Sequence, residues 1–330
     1  MSKFRTIVDI SKSSSEVEYS NKIMFLGSCF AENIGKLFLS RKFSALVNPF
    51  GIIYNPQSVA NSLIAILDDK KFSDEDLIYN NGRWSSLYHH GKFSDVDKQT
   101  CLNRLNTGRE NARIFLQETS FLVITFGTSW VYEHIEKSKV VSNCHKLPAK
   151  EFRRFRLTVD DIVDVYKDLI VKLRYFNPNI KVIFTVSPIR HLKDTAHGNQ
   201  LSKSVLLLAI DELMDNLPNI EYFPSYEILM DELRDYRFYS DDMVHISDIA
   251  IDYIWQRFKE SHISPSSHVA MKEIEKFAKS LQHKSLSGDI IAYRDYLNKR
   301  LEKLDILEKK YIDVDFSKDR LDLLERIKSL

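Results

Sequence analysis

Two stretches carry residue types that can do covalent chemistry together. In KIMFLGSCFAENIGKLF (22–38) an apolar run stops at Gly27-Ser28 and a helical pattern starts almost at once. A serine on such a turn is exposed, and the amides around it face the positive end of a helix, where a developing oxyanion can bind. Serine alone is a weak nucleophile at neutral pH. It needs a histidine within hydrogen-bond reach, oriented by a carboxylate. FYSDDMVHISD (238–248) offers both, because His245 follows Asp242 by three residues just before a helix. The carboxylate can then meet one imidazole nitrogen while the other points outward. Asp241 and Asp248 are rival carboxylates. Plainer readings stand beside these: Ser28 as a helix N-cap, and the D-x-x-H string as a surface loop. Cys29 is a rival nucleophile, since a helix N-terminus lowers a thiol pKa. The residue after the turn residue is expected to face inward, so Ser28 is preferred and Cys29 fills space beneath the turn.

Other polar residues are candidates for the same edge. Gly51 in NPFGIIYNP (48–56) lets backbone approach a ligand, or simply makes a turn. The FGTS turn (126–129) brings the hydroxyls of Thr128 and Ser129 and local N–H groups. Arg190 and His191 follow a strand end, and Arg190 suits a substrate carboxylate or phosphate. His145 sits in SNCHK (142–146) and His90 in a polar stretch. Trp84, Trp130, Tyr54 and Tyr239 can present aromatic faces to a sugar ring or fill the core. No H-x-H or H-E-x-x-H spacing supports a metal, so neither a metal nor a cofactor is expected.

The elements that must position these residues alternate. Lys22 to Leu26 reads as a buried strand, followed by Phe30, Ile34, Leu37 and Phe38 on one helical stripe. Further strands are predicted over 44–50, 121–127, 181–188 and 219–226, and helices over 58–67, 159–176, 201–217 and 247–258. Such alternation implies a mostly parallel sheet covered on both faces, with ligands beyond the carboxyl ends of its strands. Gly27-Ser28, Gly51, Gly127 to Ser129 and Pro188 to His191 all follow predicted strand ends, so they should gather on one edge. Residues 68–113 break the alternation and read as a long irregular insertion over the site. After Pro265 the chain becomes charged and helical, over 268–284, 291–311 and 315–330, with an apolar stripe of Leu297, Leu301, Leu304, Leu307 and Tyr311. That stripe is expected to pack on the core or to form a homodimer. The domain reading is therefore 1–262 for a core domain and 263–330 for a helical appendage.

Bulk properties exclude several classes. The chain has 330 residues, 47 Lys and Arg against 46 Asp and Glu, and 44% hydrophobic residues. A net charge near zero gives no field for nucleic acid or an anionic membrane. Three cysteines, none in a C-x-x-C pair, make a disulfide framework improbable. No apolar run approaches the roughly 18 residues of a membrane span, and MSKFRTIVDISKSSS has no signal-like apolar core. A cytoplasmic protein with no nucleic-acid or membrane partner is expected.

Taken in order, these blocks resemble the SGNH/GDSL hydrolase superfamily: a serine turn after the first strand, glycine after the second, a G-x-polar turn after the third, and D-x-x-H near the end. Within it the chain resembles the GSCFA family, through GSCFA (27–31), NPFGIIYNP (48–56), ITFGTSWVY (124–132), SNCHK (142–146), TVSPIRH (185–191) and FPSYEI through DYRFYSDDMVH (223–245). The resemblance spans roughly residues 4–258. It implies a flavodoxin-like three-layer α/β/α sandwich with a short parallel sheet. It makes Ser28 the nucleophile, His245 the base and Asp242 its orienting acid, with the N–H groups of Ser28 and Gly51 in the oxyanion hole. One departure is that Ser129 stands where the superfamily usually has an asparagine donor. Ser129, Thr128, Asn143 or Asn48 is then expected to replace it. Arg190, His191, His145, Tyr54 and Asn48 are the expected substrate contacts. The implied activity is a serine ester hydrolase removing a small acyl group, such as acetyl, from a carbohydrate or other polar small molecule. An O-acyltransferase using the same triad, or a non-catalytic binding module, is the alternative.

Overall fold

The computed structural model describes residues 5–281 and 290–330. From the N-terminus run β1 (Lys22–Gly27), α1 (Cys29–Ser40), β2 (Ser44–Val47) and α2 (Pro56–Leu67). A hairpin of β3 (Leu77–Asn80) and β4 (Arg83–Ser86) precedes α3 (Lys98–Gln117) and β5 (Thr119–Phe126). Then come β6 (Trp130–His134), β7 (Lys139–Val141), β8 (Phe152–Arg156), α4 (Val159–Phe176), β9 (Lys181–Val186) and α5 (Thr195–Asn216). The remainder is β10 (Ile220–Tyr222), the short α6 (Ser225–Glu227), α7 (Asp248–His262), α8 (Pro265–Leu281), α9 (Ile290–Lys310) and α10 (Ser317–Lys328).

The central sheet has five strands in the order β10-β9-β5-β1-β2, all pairs parallel. Both faces are covered because successive strand residues go to opposite sides. Ile23 and Phe25 of β1, Phe121 and Val123 of β5, and Ile183 of β9 enter one cluster with Phe38, Trp255 and Phe258. Met24 and Leu26, Leu122 and Ile124, and Val182 and Phe184 enter the other with α2, α4 and α5. Each fully buried side chain of this size contributes about 1.5–3 kcal/mol. The result is the expected three-layer α/β/α sandwich with flavodoxin-like strand order.

Helix limits follow local chemistry. α4 starts at a capping box, with Thr158 Oγ1 accepting the Asp161 N–H at 3.1 Å and Asp161 Oδ2 accepting the Thr158 N–H at 2.8 Å. It stops at Asn177 before Pro178. There the Asn177 amide donates to the carbonyls of Leu116 and Thr119 at 2.9 and 2.8 Å.

The region 68–113 is not irregular, as its sequence suggests. It holds the β3–β4 hairpin and most of the 20-residue helix α3. The buried stripe of α3 is only Cys101, Leu105, Arg109, Ala112 and Leu116. One member is an arginine, buried by pairing with Asp69 and with Glu110, so the apolar periodicity is weak. The stretch predicted as strand to Tyr226 leaves the sheet at Tyr222 and turns helical from Ser225. A separate three-stranded antiparallel sheet, β7-β6-β8, fills the gap between β5 and α4.

The C-terminal stripe packs on this chain's own core. Leu297, Leu304 and Leu307, with Phe316 and Leu323, join the cluster of Phe38 and Trp255. α8 takes the expected helix to Leu281; positions 282–284 lie outside the described residues. Arg41, at the C-terminal end of α1, bonds Glu275 at 2.7 Å and sits over the Trp255 ring, and Lys42 pairs with Asp319. The appended helices thus clamp the helix that begins at Ser28.

Gly27 sets how closely β1 and β5 end together. Its φ is +133°, and a Cβ there would lie 2.1 Å from the Thr125 carbonyl oxygen. Gly27→Ala is therefore expected to lower stability by roughly 3 kcal/mol or more, from overlap plus backbone strain. Urea denaturation of the variant checks this; an unchanged midpoint would mean the strand ends can part freely.

Candidate active site

β1 and β5 lie side by side, and their onward connections leave toward opposite edges of the sheet. Such a switch point opens a crevice at the carboxyl ends of the strands. A cavity of about 540 Å³ is found there, lined among others by Ser28, Cys29, Thr128, Ser187, His191 and His245. A second cavity, of about 450 Å³ between α2 and the 68–113 region, has no histidine in its lining.

Ser28 takes the N-cap reading of its position and also borders the cavity, but it is only 1% exposed rather than exposed on the turn as its sequence suggests. It is the N-cap of α1, its Oγ accepting the Phe30 N–H at 3.3 Å, and it lines the cavity. That bond uses a lone pair and leaves the hydroxyl proton available. Cys29 is not beneath the turn as its place in the sequence suggests. It is half-buried and lines the cavity beside Ser28. Burial pushes its thiol pKa up, against the pull of nearby backbone N–H groups, so the reactive thiolate is disfavoured.

The D-x-x-H loop closes on itself. His245 Nδ1 and Asp242 Oδ2 are 2.6 Å apart, while Asp242 Oδ1 accepts the N–H groups of Val244 and His245 at 2.9 and 2.8 Å. Met243 takes φ +56° to allow this wrap. The hydrogen bond from His245, then the two backbone N–H groups, hold the Asp242 pKa down to about 2. Of the three candidate carboxylates, Asp242 is the one bonded to the imidazole. With Nδ1 engaged, Nε2 is the free ring nitrogen. Val244 and His245 line the same cavity as Ser28. Ser28 and His245 are not hydrogen-bonded to each other; such contacts commonly tighten around a bound substrate.

The expected oxyanion donors are mostly committed elsewhere. The Ser28 N–H donates to Thr125 O at 3.2 Å and the Gly51 N–H to Asn48 O at 2.8 Å. At Gly51 the close approach is to His90, whose Cβ would lie 2.2 Å from an added Cβ, not to a ligand. Ser129 is fully buried, and both its N–H and its hydroxyl donate to Ser202 Oγ. Thr128 lines the cavity, but its N–H goes to Tyr54 O and its Oγ1 accepts the Trp130 N–H. Asn48 is buried off the cavity with Oδ1 accepting the Gly27 N–H. Asn143 does line the cavity. Its Oδ1 accepts the His145 N–H at 2.9 Å, and its Nδ2 donates to no described residue.

Among the expected substrate contacts, Tyr54 and His191 line the cavity, with rings edge-on 5.9 Å apart. Arg190 does not line it. Its charge acts on Tyr226 and Tyr239, and its Nε is buried. His145 is a strut: its Nε2 reaches the carbonyls of Ser86 and His89 at 2.8 and 3.2 Å, outside the cavity. Trp130 lines the cavity, whereas Trp84 and Tyr239 do not.

Sequence reasoning missed Asn55, Tyr132 and Arg154. Asn55 caps α2 through Oδ1 and lines the cavity, with its Nδ2 free of described partners. Its signal is the Asn-Pro pair that starts a helix. Tyr132 and Arg154 face each other across β6 and β8, and the Arg154 guanidinium lies 4.3 Å over Trp130. The alternation in TSWVYEH was the readable sign of that wall. Among the described residues no three His, Cys, Asp or Glu side chains group to hold a metal, and no helix is long and apolar enough to cross a membrane.

Residues 22–258 match the family model described as GSCFA family, and residues 274–329 match the one described as GSCFA domain protein, C-terminal domain. The chain belongs to the GSCFA family. Among solved structures it is similar to a family 3 carbohydrate esterase of Clostridium thermocellum, at 11% identity and TM-score 0.35, covering 73% of this chain and 94% of that one. It is similar also to a family 3 carbohydrate esterase of Talaromyces cellulolyticus, at 10% identity and TM-score 0.34, covering 77% and 99%. An acetyl xylan esterase of Butyrivibrio proteoclasticus follows at 14% and 0.32, covering 63% and 56%. No curated protein matches the chain.

Three desolvated histidines, His89 and His262 buried and His191 half-buried, are expected to make the fold sensitive to acid. Desolvation lowers the pKa of His89 to about 3, and of His191 and His262 to about 4, from 6.5. The unfolded chain binds these protons first, so the stability they permit is full above about pH 6.5 and is lost as pH falls toward about 4. Urea midpoints across this window should fall with pH, and less steeply in His89→Phe, which retains the stacking on Phe50. A flat wild-type profile would contradict the burial of these rings.

Proposed function

We propose that the chain is a serine ester hydrolase that removes a small acyl group, such as acetyl, from a polar substrate of about carbohydrate size. One observation carries this reading. Ser28, held at the sheet's switch point, lines the same cavity as His245, whose Nδ1 is bonded to Asp242. The GSCFA motif order supports it. In this reading His245 Nε2 takes the Ser28 hydroxyl proton as Oγ attacks the ester carbonyl. The tetrahedral intermediate collapses as the proton passes to the leaving alkoxide, and the alcohol departs from an acyl-serine. Water, deprotonated by the same histidine, attacks the acyl carbon and regenerates Ser28 while the carboxylic acid leaves. Asp242, ionised throughout, stabilises the transient imidazolium.

The developing oxyanion needs donors that are not already engaged. The Cys29 N–H, first in α1, donates to no other described residue, and Asn143 and Asn55 line the cavity with Nδ2 groups that donate to no described residue. Asn143 therefore takes the place of the superfamily asparagine. Trp130, Tyr132 and Tyr54 give the cavity aromatic walls beside Arg154 and Lys193, a mix that suits a hydroxyl-rich ring better than a long acyl chain. The His245 side chain is 56% exposed, so water has access to the base that the hydrolytic step requires.

The test is hydrolysis of p-nitrophenyl acetate and butyrate, then of acetylated saccharides. Ser28→Ala is expected to lower kcat by roughly 10⁴-fold or more, and Cys29→Ala to change it little. Asn143→Ala should lower kcat by roughly 10²-fold with KM nearly unchanged. Activity abolished by Cys29→Ala but not by Ser28→Ala would move the nucleophile and sink the scheme.

A further inference from the structure

α5 carries three polar side chains on its buried face. Asn199, Ser202 and Lys203 stand at helical spacing, exposed by 1%, 2% and 0%. A helix face against a sheet is ordinarily apolar, and buried polar groups persist where they are bonded. Each of these bonds a loop at the site. Asn199 Oδ1 accepts the His191 N–H at 2.8 Å. Ser202 Oγ accepts the Ser129 N–H at 2.8 Å and lies 3.0 Å from Thr128 Oγ1. Lys203 Nζ donates to Gly127 O and Ser187 O, both at 2.7 Å.

Lys203 is the unusual member. It is wholly buried, and its bonded partners among the described residues are two carbonyls with no carboxylate. An isolated buried ammonium is costly, so its location is informative. Its two acceptors are the first residues past β5 and β9. Gly127 lies beside the serine: a Cβ added there would sit 3.5 Å from Ser28 Cβ. Ser187 lines the cavity with His191. The groups that face Lys203 are Cys29 on α1, Arg190 after β9, and the Tyr226 ring, 5.5 Å away; Lys203 in turn acts on His191.

We propose that Lys203 is a positioning residue for the hydrolase site: its buried Nζ ties the ends of β5 and β9 together beneath Ser28 and places positive charge under the developing oxyanion. The proposal rests on the esterase reading above. It has a signature that a plain strut lacks. Burial, followed by the Arg190 charge, lowers the Lys203 pKa from 10.5 to about 7, against an opposing pull from Cys29. A neutral amine still has two N–H groups for the two carbonyls. The tie therefore survives deprotonation, and only the charge is lost as pH rises through about 7.

The experiment compares full-length wild type, Lys203→Gln and Lys203→Met. Gln retains a donor without charge, and Met retains the volume alone. Both kcat and KM on p-nitrophenyl acetate are measured across pH, with thermal melts on the same samples. Wild-type kcat is expected to decline above about pH 7. Lys203→Gln should fold, lose about tenfold in kcat with KM nearly constant, and lack that decline; Lys203→Met should lose more. Wild-type stability should rise between about pH 7 and 10.5, where the unfolded chain holds a proton that the folded chain has released, and both variants should lack the rise. The proposal is overturned if both variants retain wild-type kcat or its pH profile, or if activity is lost only in proportion to the unfolded fraction. A wild type inactive on every ester tested would instead remove the hydrolase reading, while the pH dependence of stability would still report the buried amine.

Discussion

The contact between Gly27 and the Thr125 carbonyl is the constraint on which the site depends. With no side chain between them, β1 and β5 end side by side, and Ser28 is delivered at the point where the two strands stop. Further backbone bonds tie the neighbouring loops to this pair. Ile53 donates to Gly27 O, and Gly127 and Thr128 donate to Tyr54 O. The Asn48 side chain takes the Gly27 N–H. Three loops that follow β1, β2 and β5 thus form one hydrogen-bonded unit. The same bonds occupy amides that would otherwise face a ligand. Rigidity of the edge and free backbone donors compete for the same N–H groups, and side-chain carboxamides are what remain to face the cavity.

Charge is distributed unevenly around this unit. The Asp242–His245 pair is half-exposed and makes its own local geometry, through one carboxylate and three hydrogen bonds within four residues. It needs little from the rest of the fold except a place to stand. Lys203 is the opposite case: buried, remote in sequence from the groups it bonds, and dependent on the whole sandwich for its two acceptors. Arg154 lies between these extremes, half-shielded, paired with Asp194 and stacked over Trp130. Solvent screens the first pair strongly and the lysine hardly at all.

Much of the scaffold was legible because its signals are local. Buried parallel strands read as continuous apolar runs, and α4 announces itself through Thr158, Asp161 and the Asn177-Pro178 stop. The D-x-x-H geometry was legible for the same reason, since it closes within four residues. α3 was not, because its buried stripe includes Arg109, whose partner Asp69 lies outside the helix. The N–H groups expected at Ser28, Gly51 and Ser129 are engaged by partners a single sequence does not show: the Thr125 carbonyl on β5, the Asn48 carbonyl of the same turn, and Ser202 Oγ on α5. Arg190 was misplaced because a residue past a strand end can face either the cavity or the body of the protein, and His145 because its bonds to the Ser86 and His89 carbonyls lie far off in sequence. Asn199, Ser202 and Lys203 look like solvent-facing helix residues in a single sequence. Only the register of α5 on the sheet turns them inward.

Chain order adds a temporal dimension to this architecture. Ser28 lies at the first crossover of the sheet, while His245 comes after its last strand, so every strand must be in place before the two share a cavity. Pairings this distant in sequence form late, after loop closure has been paid in entropy. A chain emerging from the ribosome would expose its serine long before the imidazole exists. On the proposed mechanism the hydroxyl has no general base during that interval, and a fragment ending short of the D-x-x-H loop lacks one altogether. On that mechanism the serine gains its base only once the last strand of the sheet is paired and the loop after it has closed.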